Sequence, residues 1–205
     1  MRKILVVNPK GGCGKTTIAT NLASYYALWG VKTALVDYDP QQSSLEWLQS
    51  RPSAYEPIHA MTGTSHGNYP AGTQRVLIDS PARTDRRKFS GLARQADVIL
   101  VPILPSPIDI RAAAHFIGEL LLTGQARNKR IGVLANRVRE QTLIYSKLEK
   151  FLKALKIPFV THLRDSQNYI RAAEYGIGIF EMAPYLVQAD LEQWRPLIRW
   201  VERNR

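Results

Sequence analysis

The chain has 205 residues, 45% of them hydrophobic, and carries a formal net charge of +11. Its length and apolar content predict one globular domain over residues 1–205. A lone cysteine, Cys13, excludes an intramolecular disulfide and any metal cluster that one chain would build from cysteines. No apolar run is long enough for a signal peptide or a membrane span, so we expect a cytoplasmic protein without stable membrane association.

The positive charge predicts a polyanionic partner such as nucleic acid. Residues 1–125 hold 13 basic and 9 acidic side chains (+4), whereas residues 126–205 hold 15 and 8 (+7). The excess is therefore heavier toward the C-terminus.

Apolar runs alternate along the chain with segments of helical period, a pattern that predicts a doubly wound α/β fold with a mostly parallel sheet and helices on both faces. The predicted strands are residues 3–8, 32–39, 75–80, 98–104, 130–137 and 159–163. The predicted helices are residues 16–30, 43–50, 90–96, 108–124, 142–156 and 166–176. Gly30 and Gly124 stand where helices commonly end. Residues 51–74 are rich in Pro, Gly and Ser and predict a surface connection with room for one short strand, and the spacing of His59 and His66 fits no common metal site.

The stretch "NPKGGCGKTT", residues 8–17, lies between the first predicted strand and the first predicted helix, as a phosphate-binding loop does. Its glycines, Gly11, Gly12 and Gly14, let backbone N–H groups converge on phosphate oxygens. Lys15 is expected on the β- and γ-phosphates, and the Thr16 hydroxyl is expected on Mg²⁺. Pro9 replaces the first glycine of the common pattern, and beside it stands a second lysine, Lys10.

Carboxylates end two further predicted strands. Asp79 ends "VLID", and Asp37 and Asp39 end "TALVDYD", where alternation along an extended strand would put both on one face. Acidic side chains at the carboxyl ends of neighbouring parallel strands predict a Mg²⁺-nucleotide site.

The motifs "KGGCGKTT", "LVDYDPQQSS", "VLIDSPA" and "PILPSPIDIRAAA", in that order, resemble the deviant-Walker phosphate-loop ATPases of the ParA/MinD superfamily. The resemblance covers nearly the whole chain and is strongest to short ParA-type proteins, a group that includes plasmid ParA and the carboxysome-positioning McdA proteins.

The resemblance implies a role for each site residue. Lys10 would reach the ATP of a second subunit in a nucleotide-sandwich dimer, and Asp39 would position the hydrolytic water. Asp37 would support the metal shell, Asp79 would be the Walker B acid, and residues 80–88 would form a second switch. Cys13 is interpreted as packing, not as a nucleophile. The nucleotide-binding set so predicted is Lys10, Gly11, Gly12, Cys13, Gly14, Lys15, Thr16, Thr17 and Asn136, the last at an adenine position.

The function that follows is a slow ATPase that dimerises with ATP, binds nucleoid DNA without sequence preference and positions a cargo, its hydrolysis stimulated by a ParB-like or McdB-like adaptor. Because the first strand begins the chain, we expect no operator-binding domain. A helix over residues 142–156 sets Ile144, Leu148, Phe151, Leu152 and Leu155 opposite its lysines. The predicted DNA contacts are Lys147, Lys150, Lys153, Arg164, Arg171, Arg199 and Arg203.

Two alternatives compete with DNA-linked positioning. A MinD-like membrane ATPase would need a terminal amphipathic helix, and residues 191–205 contain such a pattern, although Pro196 interrupts it and packing on the domain is the preferred interpretation. An electron-transfer or ligase enzyme on the same fold would need cluster cysteines or a dedicated pocket, for which we find no residues.

Overall fold

The computed structural model describes residues 1–65, 67–82, 86–122, 124, 129–154 and 157–203; for residues 86–88 it describes the backbone alone. The strands are β1 (Arg2–Val6), β2 (Thr33–Asp37), β3 (His59–Thr62), β4 (Arg75–Asp79), β5 (Val98–Ile103), β6 (Arg130–Val138) and β7 (Phe159–Arg164). The helices are α1 (Lys15–Leu28), α2 (Ser43–Gln49), α3 (Arg86–Gln95), α4 (Pro107–Leu122), α5 (Leu143–Ala154), α6 (Gln167–Glu174) and α7 (Pro184–Glu202).

The seven strands form one sheet in the order β3-β2-β4-β1-β5-β6-β7, and all of its pairs are parallel. The doubly wound α/β prediction is therefore confirmed. β3 supplies the short strand for which residues 51–74 left room. This order places β1 at the centre of the sheet. The strands that follow in the chain are added first on one side of β1 and then on the other, so β1 lies at the topological switch point. Sheets of this type bind ligands at the switch point, beyond the carboxyl ends of the strands.

Two apolar layers cover the sheet because its strand residues alternate between its faces. Leu5 and Val7 face a layer to which α3, α4 and α5 contribute. Ile4 and Val6 face the other layer, to which α1, α2, α6 and α7 contribute. Both layers are dry: most of their strand residues have no exposed surface.

The helix α7 runs through Pro196 without a break. The expectation that this proline interrupts the helix is wrong. Proline removes one N–H and frees the carbonyl four residues earlier, at Glu192, but both residues are exposed, so water can satisfy that carbonyl. Trp194, Leu197 and Val201 are fully buried against the sheet.

Two helix-ending glycines behave as predicted. Gly30 and Gly124 have φ of 70° and 67°, in the left-handed region that glycine adopts freely. No helix among the residues described has the length and apolar character needed to cross a bilayer.

Candidate nucleotide site

The loop between β1 and α1 is shaped by glycines. Gly12 and Gly14 have φ of 75° and 91°, which disfavours side chains at both positions. Gly14 also lies so close to Asn136 that a Cβ would sit 2.0 Å from its Nδ2 atom. The first turn of α1 has no side-chain cap and no acidic residue. Its free N–H groups and the positive end of its dipole therefore face the loop, the arrangement that binds phosphate.

Two asparagines brace this loop from the side. Asn8 is fully buried, its Oδ1 accepts from the Lys10 N–H at 2.9 Å, and its Nδ2 donates to the Pro102 carbonyl at 2.6 Å. Asn136 donates from Nδ2 to the Cys13 carbonyl at 2.9 Å. Asn8 was missed at the sequence level, although an asparagine that ends a strand before a glycine loop is a common turn former. β1 ends at Val6, two residues before the predicted end, and the bond from the Lys10 N–H to Asn8 turns the chain soon after it.

The two lysines of the loop have different surroundings. Lys15 is 7% exposed, and its Nζ donates to the carbonyl of Lys10 at 3.3 Å. The Lys10 side chain is exposed. Lys15 is thus held inside the site, whereas the Lys10 ammonium is accessible to another molecule.

Cys13 is fully buried, and its thiol donates to the Lys10 carbonyl at 3.3 Å. Burial raises the pKa of this thiol, although Lys15 nearby opposes the shift. A thiol that is protonated at neutral pH and inaccessible suits a packing role and not a nucleophilic one.

Asp79 and Thr16 meet below the loop. Thr16 Oγ1 donates to Asp79 Oδ2 at 2.7 Å, while the other carboxylate oxygen, Oδ1, is buried without a hydrogen-bond partner among the residues described. Burial raises the pKa of Asp79 to about 7, with the carboxylates of Asp37 and Asp39 adding to the shift. A buried carboxylate with one oxygen not engaged by protein donors is suited to bind a cation.

Magnesium fits these donors. A hydroxyl and one carboxylate are hard oxygen ligands, and Mg²⁺ commonly binds through one or two carboxylates together with phosphates and waters. Within the described part of the chain, no group of three or more His, Cys, Asp or Glu side chains is placed to hold a metal alone. The fit is therefore to a Mg²⁺ ion that arrives with a nucleotide.

Asp37 and Asp39 do not share a strand face, so that prediction is wrong. β2 ends at Asp37, whose Oδ1 accepts from the Asp39 N–H at 2.8 Å and turns the chain. Asp37 Oδ2 accepts from the N–H and hydroxyl of Ser44 at 3.0 and 2.6 Å, and so caps α2. Asp37 lies beside Asp79 in the sheet register, but its carboxylate oxygens already accept hydrogen bonds from Asp39 and Ser44. The sequence analysis missed Ser44, because a serine inside a predicted helix carries no distinctive signal.

Asp39 links the loops that follow β2 and β4. Its Oδ1 accepts from the Gln41 N–H at 3.0 Å, and its Oδ2 accepts from the Ala82 N–H at 3.3 Å. Ala82 of the predicted second switch is thus tied to Asp39, and residues 83–85 of that switch lie outside the described part of the chain.

A cavity of about 380 Å³ opens beside the loop, where the adenine position was predicted. Thr17, Asn136 and Arg137 line it, together with residues of the β7–α6 connection. Arg137 has φ of 50°, a left-handed conformation that is strained for a long side chain. Asn136 reaches both this cavity and the phosphate loop, and its amide nitrogen is used by the loop.

The predicted DNA contacts are spread over both faces of the sheet. Lys147, Lys150 and Lys153 are exposed on α5, and Lys153 pairs with Glu149 at 3.1 Å. Arg164 forms a two-point ion pair with the fully buried Asp190, so its charge is balanced. The remaining candidates are exposed on the α6 and α7 side: Arg171, Arg199 and Arg203. No single patch contains the whole set.

A strand, glycine loop and helix at the centre of a parallel sheet, with a buried lysine and a buried carboxylate beneath the loop, define a phosphate-loop nucleotide-binding protein. The family described as "CobQ/CobB/MinD/ParA nucleotide binding domain" matches residues 4–179. The chain belongs to this family.

Comparison with individual proteins gives the same family. The chain is 28% identical over 189 residues to "Maintenance of carboxysome distribution protein A" of Halothiobacillus neapolitanus, covering 87% of each protein. It is 27% identical to the chromosome-partitioning ATPase Soj of Thermus thermophilus, covering 90% of this chain and 89% of that one. Among solved structures, apo McdA of Cyanothece superposes with a TM-score of 0.75 at 20% identity, covering 98% of each chain. A plasmid partition protein of Borrelia burgdorferi bound to AMPPNP gives 0.77 at 13% identity, covering 97% of this chain and 98% of that one. The chain is thus a nucleotide-binding protein like the ParA/MinD positioning and partition ATPases, with a likeness to McdA.

Proposed function

We propose that this protein is an ATPase that dimerises when it binds ATP, binds DNA without sequence preference as a dimer, and positions a cargo through hydrolysis that an adaptor stimulates. The proposed unit is one ATPase domain over residues 1–205, located on the nucleoid in the cytoplasm. The cargo is a plasmid or a protein organelle such as the carboxysome, because the relatives include both partition and carboxysome-distribution proteins. The adaptor would be McdB-like or ParB-like.

The observation that carries the proposal is the contrast between the two loop lysines. Lys15 is enclosed beside the phosphate loop, whereas Lys10, five residues earlier, projects into solvent from the same loop. An accessible cation beside bound phosphates can neutralise charge on the nucleotide of a facing subunit. Dimerisation would then depend on which nucleotide is present.

The acidic residues support hydrolysis in the same site. Thr16 and Asp79 would hold Mg²⁺, which neutralises phosphate charge, and Asp37 would fix the loop that carries Asp39. Asp39 is the proposed water-positioning residue. Two observations support this role: Asp39 accepts from the Ala82 N–H, and a Cβ at Gly11 of the phosphate loop would lie 3.8 Å from Ala82 Cβ.

The α5 lysines are the proposed main DNA contact. Lys147 and Lys150 are exposed on one helix and form no ion pair with any residue described. Dimerisation doubles the number of such contacts, so DNA affinity follows the nucleotide state. The membrane alternative is less well supported, because the apolar side of α7 is already buried in the core.

The test uses the Asp39→Ala variant in size-exclusion chromatography with ADP or ATP, with and without random-sequence duplex DNA. We expect a monomer with ADP, a stable dimer with ATP, and co-elution with DNA for the dimer alone at low salt. Flotation with liposomes is the matched control and should leave the ATP form unbound. An ATP form that stays monomeric, or a dimer that ignores DNA, would contradict the proposal.

A further inference from the structure

A groove of about 430 Å³ lies between the end of α1 and the outer side of α7. α1 begins at the phosphate loop and has 14 residues, so its far end lies about 20 Å from that loop. The groove is therefore remote from the nucleotide site. We name it the α1–α7 groove, and its walls are formed by Leu28, Trp29, Leu191, Arg195, Ile198 and Arg199.

The floor of the α1–α7 groove is aromatic and anchored in the core. The rings of Tyr25 and Phe180 lie 4.9 Å apart, and Phe180 contacts Trp194 at 5.5 Å. Trp194 is fully buried and donates from Nε1 to the Tyr169 hydroxyl at 2.9 Å. These contacts fix the floor, so a ligand would meet a preformed apolar surface and lose little entropy in ordering it.

The wall formed by α1 exposes large apolar side chains that the fold does not require. Trp29 is 69% exposed and Leu28 is 43% exposed. Trp29 is the C-cap residue of α1 through its backbone, and Gly30, with φ of 70°, supplies the turn that follows, so the end of the helix does not require an indole side chain. Exposed tryptophan beside a cavity is typical of binding surfaces, where aromatic side chains contribute most of the affinity.

The opposite wall carries uncompensated positive charge. Arg195 and Arg199 are four residues apart on α7, both are exposed, and neither forms an ion pair with any residue that the structure describes. None of the residues described as lining the groove is acidic. Of the two acids nearest to them on α7, Glu202 is paired with Arg75 at 2.7 Å and with Arg2 at 3.7 Å, and Glu192, three residues before Arg195, accepts from Gln188 Nε2 at 3.4 Å.

We propose that the α1–α7 groove binds a short acidic segment of a partner protein, with bulky apolar side chains on the aromatic floor and carboxylates on Arg195 and Arg199. Charge complementarity selects this occupant, since two free arginines flank an apolar cavity. DNA would satisfy the arginines but offers nothing to fill the cavity. A bilayer needs a protruding apolar row, whereas this surface is concave. A second copy that docked through the same groove would set Arg195 and Arg199 against their own counterparts. The proposal does not depend on ATP hydrolysis or on DNA binding.

The test follows the indole N–H signal of Trp29 in the ¹⁵N-labelled full chain, assigned with a Trp29→Phe variant. The probes are synthetic helical peptides of about four turns that carry Leu, Phe or Trp at i, i+3, i+4 and i+7 and Glu elsewhere. Matched peptides replace every Glu with Lys. We expect the Glu peptides to shift the Trp29 signal and the Lys peptides to leave it unchanged.

The variants locate the site. Arg195→Glu with Arg199→Glu should weaken the affinity for the Glu peptides on the order of tenfold. Lys147→Glu with Lys150→Glu makes the same change in net charge on the other face of the sheet and should keep the affinity within about twofold. Trp29→Ala, which lacks the reporter indole and is therefore followed by calorimetric titration, should show a second, charge-neutral loss of binding. The dispersion of the amide spectrum checks that each variant is folded.

Several outcomes would overturn the proposal. One is a Trp29 signal that no Glu peptide shifts, and another is equal weakening by the two double variants, which would indicate general charge attraction. A Trp29 shift caused instead by random-sequence DNA, by vesicles of equal parts phosphatidylglycerol and phosphatidylcholine, or by protein concentration alone would assign the surface to nucleic acid, membrane or a second copy. Because nucleotide and DNA binding are measured separately, failure here leaves the proposed ATPase function intact.

Discussion

The side chain of Asn136 holds the phosphate loop: its Nδ2 lies 2.9 Å from the carbonyl oxygen of Cys13, a residue 123 positions earlier. Both residues are buried, and the asparagine also lines the cavity beside the loop. A side chain between the two halves of the nucleotide site can contact the base or support the loop. These two roles predict different effects of an Asn136 substitution on nucleotide binding.

Asn136→Ala should weaken nucleotide binding by about 5- to 150-fold, because it leaves the buried Cys13 carbonyl unpaired at a cost of about 1–3 kcal/mol. If Asn136 acts through the loop, affinities for ATP, GTP and ADP should fall together in calorimetric titrations. A loss confined to adenine nucleotides would support the adenine contact instead. Asn68→Ala, at an exposed asparagine, is the control and should bind normally.

The loop lysines should separate nucleotide binding from dimerisation. Lys15→Ala should abolish ATP binding, since the enclosed ammonium has no substitute. Lys10→Ala should keep monomeric ATP binding within a few-fold but impair the ATP-induced dimer and its hydrolysis, as measured by calorimetry and light scattering. Lys32→Ala, at an exposed lysine outside the loop, should change neither property. Unchanged dimerisation and turnover in Lys10→Ala would contradict its assignment to the facing subunit.

DNA binding should depend on the α5 face. Lys147→Glu with Lys150→Glu should reduce retention of random-sequence DNA and lower the slope of affinity against salt by about two for each protomer, because each phosphate contact contributes about 0.9. Arg199→Glu, on the α7 face, should leave the slope nearly unchanged. Gel-shift titrations over a range of salt concentrations measure both. The reverse ranking would move the DNA contact to α7.

The Glu202 cluster should make stability depend on pH. Burial alone would raise the pKa of Glu202, but hydrogen bonds from Arg75 and Tyr26 outweigh it and hold the pKa below its usual range. A lowered pKa in the folded state means that the stabilisation is present at neutral pH and is lost as pH falls through that lowered value. Glu202→Gln should therefore cost about 1 kcal/mol at pH 7, discounted for partial exposure, in urea denaturation.

The same series provides its own control for Glu202. At a pH below the lowered pKa both proteins carry a neutral group at position 202, so their unfolding free energies should converge. Glu192→Gln, at an exposed position of the same helix, should show no comparable gap at pH 7. A gap for Glu202→Gln that persists unchanged at low pH would show that packing, and not charge, is responsible.

The sequence predicted the features that depend on local pattern. Continuous apolar runs predict buried parallel strands, and a glycine loop between strand and helix predicts a phosphate site, since neither inference needs distant residues. The features that sequence reasoning missed depend on distant partners. Asn8 contacts Pro102 and Asn136 contacts Cys13, and no pattern around an asparagine tells which carbonyl it will meet.

Other errors came from local rules that the surroundings override. The alternation rule placed Asp37 and Asp39 on one face, but their side chains accept from backbone N–H groups and turn the chain after Asp37. The proline rule predicted a break at Pro196. The proline lies on the solvent-exposed side of α7, where water can satisfy the freed carbonyl, so it destabilises the helix little. The burial of Trp194 and Leu197, on either side of Pro196, holds both halves of the helix against the sheet.

The ion pairs between Arg2, Arg75 and Glu202 join the first strand, β4 and the last helix, and Arg2 also donates to the carbonyl of Val201, 199 residues away. In the part of the chain that the structure describes, β1 pairs with β4 and β5, so its neighbours are synthesised long after it. During translation the apolar central strand β1 therefore stays unpaired until residues 75–103 have left the ribosome. The ion pairs of Arg2 and Arg75 with Glu202 form last, after residue 202 has emerged. The nascent chain thus exposes the apolar segment that precedes its phosphate loop until about half of its 205 residues have been synthesised, and transiently exposed apolar strands of this kind are the surfaces that chaperones protect.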